Sequence, residues 1–84
     1  HPMRALDAER FDLVVANIGA GVLRSMAVDL VALLTPDGVL VLSGVLAEQA
    51  ADVVAAFGAA GVDVIGTADE DGWVLLELRR IATD

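Results

Sequence analysis

Cysteine, lysine and tyrosine are missing from this sequence, and aromatic side chains make up only 4% of its 84 residues. The lack of Cys removes disulfides, thiolate metal sites and cysteine nucleophiles together. The lack of Lys leaves five Arg against thirteen acids and a formal net charge of −8. So acidic a chain has no basic stripe to neutralise phosphates, which argues against nucleic-acid binding. Nor has it one to hold it on an anionic membrane. Long uncharged runs are missing too. Runs such as Leu13 to Leu23, the longest, and Gly38 to Ala47 fall well short of the ~18 apolar residues that a spanning helix needs. No basic start followed by an apolar run suggests a secretory leader, so a soluble, cytoplasmic chain is expected. His1-Pro2 ahead of Met3 reads either as an addition before an initiator or as a cut made inside a longer gene.

What is abundant is apolar surface. Hydrophobic residues form 57% of the chain and the mean hydropathy is +0.72. Disordered chains are poor in Val, Leu and Ile, and this one is built from them. The length allows one domain, near the lower edge of what folds unaided. More than half the side chains therefore ask for an interior that so small a chain can barely supply.

The periodicity gives an α/β reading. Phe11 to Ile18 is a nearly continuous apolar run rich in β-branched residues, as in a strand buried on both faces of a parallel sheet. After Gly19-Ala20-Gly21, the residues Leu23, Met26, Ala27, Leu30, Leu33 and Leu34 recur at helical spacing. Thr35-Pro36-Asp37-Gly38 reads as a turn that ends the helix. Val39 to Leu42 is a second buried-type strand running into Ser43-Gly44. A second helix from about Ala47 places Ala50, Val53, Val54 and Phe57 inward, with Gly61 as its left-handed cap. Val62 to Thr67 reads as a third strand and Ala68 to Gly72 as an acidic turn. Trp73 to Arg80 alternates as a last strand in a hairpin with the third. The order is β-α-β-α-β-β.

That order has a consequence for burial. β-α-β crossovers in one sheet are right-handed in nearly all cases, so if the first three strands progress in one direction both helices land on one face. The other face then has no helix from this sequence, although Leu13 to Val15 and Val39 to Leu42 are apolar at every position. Four strands of about five residues expose on the order of 300 Å² of such a face, and leaving it wet forfeits roughly 8 kcal/mol. Either the residues are part of a larger doubly wound domain, or the isolated chain pairs its bare faces as a homo-oligomer or a domain-swapped form.

Ligands in open α/β sheets bind beyond the carboxyl ends of the parallel strands. Asn17, followed by Gly19 and Gly21, and Ser43-Gly44 are the polar positions there. The Asn17 amide can accept from one group and donate to another, and glycines allow close approach. It can equally satisfy a strand-to-helix turn. For Ser43-Gly44 the simpler reading is a turn with its hydroxyl tied to local backbone.

Phe11-Asp12-Leu13-Val14-Val15-Ala16-Asn17-Ile18, then Leu42-Ser43-Gly44-Val45-Leu46-Ala47-Glu48-Gln49, then Gly72-Trp73 and Arg79-Arg80, at these separations, resemble the C-terminal half of one bacterial family. It is the methyltransferase that modifies amino groups on large-subunit ribosomal protein eleven. The resemblance runs from about Arg10 to Arg80. It implies a fragment, residues 1–84, of a Rossmann-like class I S-adenosylmethionine-dependent methyltransferase sheet. Its strands would be the fourth to seventh, with the last antiparallel and inserted beside the second strand of this chain. It implies a catalytic role for Asn17 in holding the target nitrogen, and substrate contacts from Asn17, Ile18, Ser43 and Gly44. Asn17 would also touch the methionyl end of the cofactor. The glycine-rich loop and the acid that binds the ribose would belong to the other half, so the lone chain is expected to be inactive. The implied partner is a basic ribosomal protein. The sequence departs from the family's usual pattern at Gly19, where a bulkier residue is common, and at Gly72, where an acid is common.

The remaining candidates read more simply. His1 is a terminal residue rather than a ligand. Asp69-Glu70-Asp71 is a solvated hairpin tip, and no metal site is expected. Trp73 is a packing anchor for the hairpin. Arg79 and Arg80 alternate to opposite faces of a strand end and form no patch. The competing function is a non-catalytic binding or assembly module that dimerises through an uncovered sheet face.

Overall fold

The computed structural model describes residues 9–81; His1, Pro2 and Met3 lie outside them. The apolar run after Arg10 forms strand β1 (Phe11–Asn17). Two short helices follow, α1 (Ala20–Ser25) and α2 (Ala27–Ala32), and then the long strand β2 (Leu34–Leu46). A single 3-10 turn (Ala47–Gln49) leads into helix α3 (Ala50–Ala59). The chain closes with β3 (Val62–Glu70) and β4 (Trp73–Arg80). The expected alternation of strands and helices is the observed one.

The four strands form one sheet in the order β1-β2-β4-β3. β1 and β2 are parallel, and β4 is antiparallel to both of its neighbours. The last strand thus enters the sheet between β2 and β3 instead of extending its edge, as the resemblance implied. On one face Leu40, Leu42, Val45 and Leu78 are fully buried. They meet Leu23, Val53 and Phe57 from the helices, also fully buried, in a single core.

Among the described residues the opposite face has no such cover. Leu13 and Val15 are 59% and 62% exposed, while the alternating Val14 and Ala16 are half-buried against the core. Parallel register puts Leu13 beside Val39 and Val15 beside Val41, and the face continues across β4 through the exposed Leu75, Glu77 and Arg79. Surplus hydrophobicity therefore sits where the topology argument places it. No helix among the described residues is long and apolar enough to cross a membrane.

Three local features differ from the sequence reading. The first helix is broken at Met26, which sits at φ −103° and ψ 6°. Its N–H is shared between the carbonyls of Val22 (3.0 Å) and Leu23 (3.1 Å), while the apolar spacing runs straight through the break. β2 begins at Leu34, before the expected turn: Leu34 pairs with Phe11 and Val39 with Leu13, so Thr35 to Gly38 bulge out opposite Asp12. The Thr35 hydroxyl donates to Asp12 Oδ1 at 2.9 Å and closes that bulge. The hairpin turn, lastly, is tighter than Ala68 to Gly72. β3 continues to Glu70, and only Asp71 (φ 54°) and Gly72 (φ 84°) turn, the paired positive φ values of a two-residue type I′ loop.

Arg79 and Arg80 do take opposite faces, but Arg80 is more than strand decoration. Its Nη2 donates to the carbonyls of Val31 (2.8 Å) and Leu34 (2.9 Å). Arg10 Nη1 donates to Ala32 O at 3.1 Å. Two cations thereby satisfy carbonyls at the C-terminal end of α2, where the helix dipole favours positive charge.

Candidate functional site

Parallel pairing brings the carboxyl ends of β1 and β2 to one rim of the sheet, with Asn17 in register with Ser43. Asn17 ends its strand because Gly19, at φ −62° and ψ 157°, turns the chain into α1 and gives its carbonyl to the Leu23 N–H at 3.0 Å. The Asn17 side chain is exposed, and Ile18 is half-buried against the core. Among the described residues the Asn17 amide has no side-chain hydrogen-bond partner, so the reading of Asn17 as a turn-satisfying residue finds no bond to support it there.

A bulge shapes the neighbouring strand end. Leu42 pairs with Leu76 and Val45 with Val74, so Ser43 and Gly44 together oppose Leu75 alone. Such bulges re-aim the chain locally. Gly44 takes the left-handed conformation this needs, at φ +80°, which glycine adopts without steric cost. Its bare α-carbon faces β1: a Cβ there would stand 2.7 Å from Asn17 Oδ1 and 3.2 Å from the Ile18 carbonyl oxygen. Two acceptor oxygens thus converge over one glycine. Beyond the bulge, the Leu46 N–H donates to Gln49 Oε1 at 3.1 Å and the Ala47 N–H to Gly72 O at 2.8 Å. The first fixes the entry to α3, and the second ties that entry to the hairpin turn.

Asn17, Ile18, Gly19, Ser43, Gly44 and Trp73 line an open cleft of about 560 Å³. The site residues read from the sequence are therefore brought together. Trp73 joins them, which the sequence reading missed. It is 52% exposed and sits opposite Leu46 on β4, so it walls the cleft instead of anchoring the hairpin in a core. Its signal lay in the insertion of the last strand: once β4 lies beside β2, its first residue must reach the rim that carries Ser43 and Gly44. A smaller neighbouring pocket that shares Ser43, Gly44 and Trp73 reaches Glu70 and Asp71 at the hairpin tip. The cleft lining itself contains acceptors, one hydroxyl, one indole and no titratable side chain. That set can orient a neutral donor but cannot take a proton from it. Among the described residues no group of three or more His, Asp or Glu is placed to hold a metal ion.

Comparison with known proteins gives one consistent answer. The family model described as ribosomal protein L11 methyltransferase (PrmA) matches residues 1–81. A ribosomal protein L11 methyltransferase of Pseudomonas aeruginosa is 47% identical over 77 residues, covering 92% of this chain and 26% of that protein. One from Allorhizobium ampelinum is 46% identical over 69 residues, or 82% of this chain and 24% of its own length. Among solved structures, ribosomal protein L11 methylase from Lactobacillus delbrueckii subsp. bulgaricus superposes with a TM-score of 0.81 at 28% identity. That match covers 86% of this chain and 38% of the other. The chain spans about a quarter of the length of the curated relatives it matches.

Proposed function

This chain belongs to the ribosomal protein L11 methyltransferase family, and on that premise we propose that it is the acceptor-positioning part of an S-adenosylmethionine-dependent enzyme that methylates amino groups of that ribosomal protein. The observation that carries the reading is the convergence of Asn17 Oδ1 and the Ile18 carbonyl at the joined ends of two parallel strands. A neutral amine has hydrogens to give and a lone pair to aim. Two fixed acceptors can hold those hydrogens and leave the lone pair pointing along one line. Methyl transfer from a sulfonium is an in-line displacement, so such alignment supplies much of the catalysis.

S-adenosylmethionine, when bound, supplies the electrophilic methyl. Of the residues present, Asn17 would face its reactive end, while Ser43 and Trp73 would border the acceptor. The lining offers no carboxylate to bind the ribose hydroxyls. The adenosyl half would be held by the rest of a larger domain, and the 84-residue chain alone would transfer no methyl group. The edges of the sheet support this. Edge strand β3 carries Asp63, Thr67, Asp69 and Glu70 and a bulge between Val64 and Gly66, devices that discourage further pairing. Edge strand β1 carries Leu13 to Ala16 without a charge, as a strand does that expects a neighbour. Its substrate being a ribosomal protein, the enzyme would work in the cytoplasm, where the acidity of this segment favours encounter with a basic partner.

The test is substitution in the whole methyltransferase that carries this segment. Asn17→Ala should lower the turnover of ribosomal protein methylation by about 10²-fold, a larger loss than it causes in the affinity for S-adenosylmethionine measured by calorimetry. Unchanged turnover would remove Asn17 from the mechanism. The exposed Leu13 and Val15 favour a second reading for the isolated chain alone, self-association through its bare face.

A further inference from the structure

We infer that Gly44 is a positioning residue that acts through Asn17: its missing side chain creates the space in which the Asn17 amide oxygen is seated. The inference rests on the reading of Asn17 given above and adds a residue that touches no reacting atom. The Asn17 amide stands exposed at a strand end, with no side-chain hydrogen-bond partner among the described residues to fix its torsions. Its position is then set by shape. A Cβ at residue 44 would come within 2.7 Å of Oδ1 and 3.2 Å of Ile18 O, both inside normal van der Waals separation. The Ile18 oxygen belongs to the backbone and cannot swing away, whereas the Asn17 amide can. Any side chain at 44 therefore turns the amide out of its seat and separates the two acceptors.

Gly44 also has a positive φ, and strain alone could make a substitution costly. The fold contains its own control. Gly61 has φ +105°, and a Cβ there would meet nothing within 4 Å, so Gly61→Ala carries conformational strain without touching Asn17. Gly44→Asn supplies the converse, because Asn tolerates the left-handed region yet still brings a Cβ against Oδ1.

The experiment compares Gly44→Ala, Gly44→Asn and Gly61→Ala in the whole methyltransferase, with ribosomal protein L11 and S-adenosylmethionine as substrates. Both changes at 44 should lower kcat by about 10²-fold, the order expected for a misplaced reacting group, and shift the Asn17 side-chain amide resonances in NMR spectra. Gly61→Ala should do neither. In an Asn17→Ala background, Gly44→Ala should cost no further turnover. An equal loss in both backgrounds, or Asn17 resonances that do not move, would overturn the positioning role. A moved amide with full turnover, accompanied by full turnover of Asn17→Ala, would instead overturn the role of Asn17 itself.

Discussion

Removing Arg80 should loosen the joint between the first helical segment and the sheet, and its cost can be worked from two contacts. Its Nη2 donates to Val31 O at 2.8 Å and to Leu34 O at 2.9 Å, reaching from β4 to the place where α2 hands over to β2. Hydrogen bonds from a charged group contribute ~1.5–3 kcal/mol each, and Arg80 is half-buried, so the lower end of the range applies. Arg80→Met keeps the aliphatic stem and removes both bonds, a loss of about 3 kcal/mol. In a whole enzyme that corresponds to a fall of roughly 6–12 °C in Tm, at about 2–4 °C per kcal/mol. Arg80→Lys should fall between, because its ammonium ends about one bond short of the same carbonyls. Arg79 is the control: exposed, with Val39 and Asp63 as cross-strand neighbours, it should cost about 0.5 kcal/mol or less as Arg79→Met. Thermal unfolding of the three variants beside the parent, with hydrogen exchange at Leu33 and Leu34, decides the matter. Equal losses at 79 and 80 would refute the clamp.

Two further outcomes are expected. Among the described residues no titratable side chain lines the cleft, and a lysine amine titrates near 10.4; if the acceptor amine arrives without its extra proton, turnover on a lysine acceptor should rise about tenfold per pH unit between pH 6 and 9 under limiting ribosomal protein, and a flat profile would point to a base supplied from elsewhere. The isolated chain should self-associate in sedimentation velocity through the face that exposes Leu13 and Val15, and the double substitution Leu13→Thr with Val15→Thr should shift it towards monomer; a parent chain that sediments as monomer would refute pairing of the bare faces.

The strands and their burial were legible because apolar runs such as Leu13 to Ala16 and Val39 to Leu42 allow few other conformations. The strand end at Asn17 was legible because a polar amide interrupts such a run. Features of the last hairpin were less so. β3 runs on to Glu70 as a polar edge strand, and a strand without apolar alternation looks like a turn. The break at Met26 left no mark because a local rearrangement of one N–H does not change which residues face inward. Trp73 and Arg80 were misread for one shared reason. Their surroundings come from β2 and α2, residues far away in sequence that become neighbours only through the insertion of β4. Alternation along a strand tells which face a side chain takes, not what waits there.

That insertion also dictates how the fold can be assembled and taken apart. β2 and β3 are not neighbours; β4 lies between them. The β3–β4 hairpin, with its two-residue turn, closes locally on the microsecond scale, whereas β1 and β2 pair only after a helical crossover. The strands of the two units pair along one seam, Val39 to Leu46 against Trp73 to Arg79. A chain nicked between α3 and β3 would leave two pieces with their own pairings complete and a matched seam for reassociation. Trimming the C-terminal end would act otherwise, since losing β4 opens the sheet through its middle and strands β3 as an orphan.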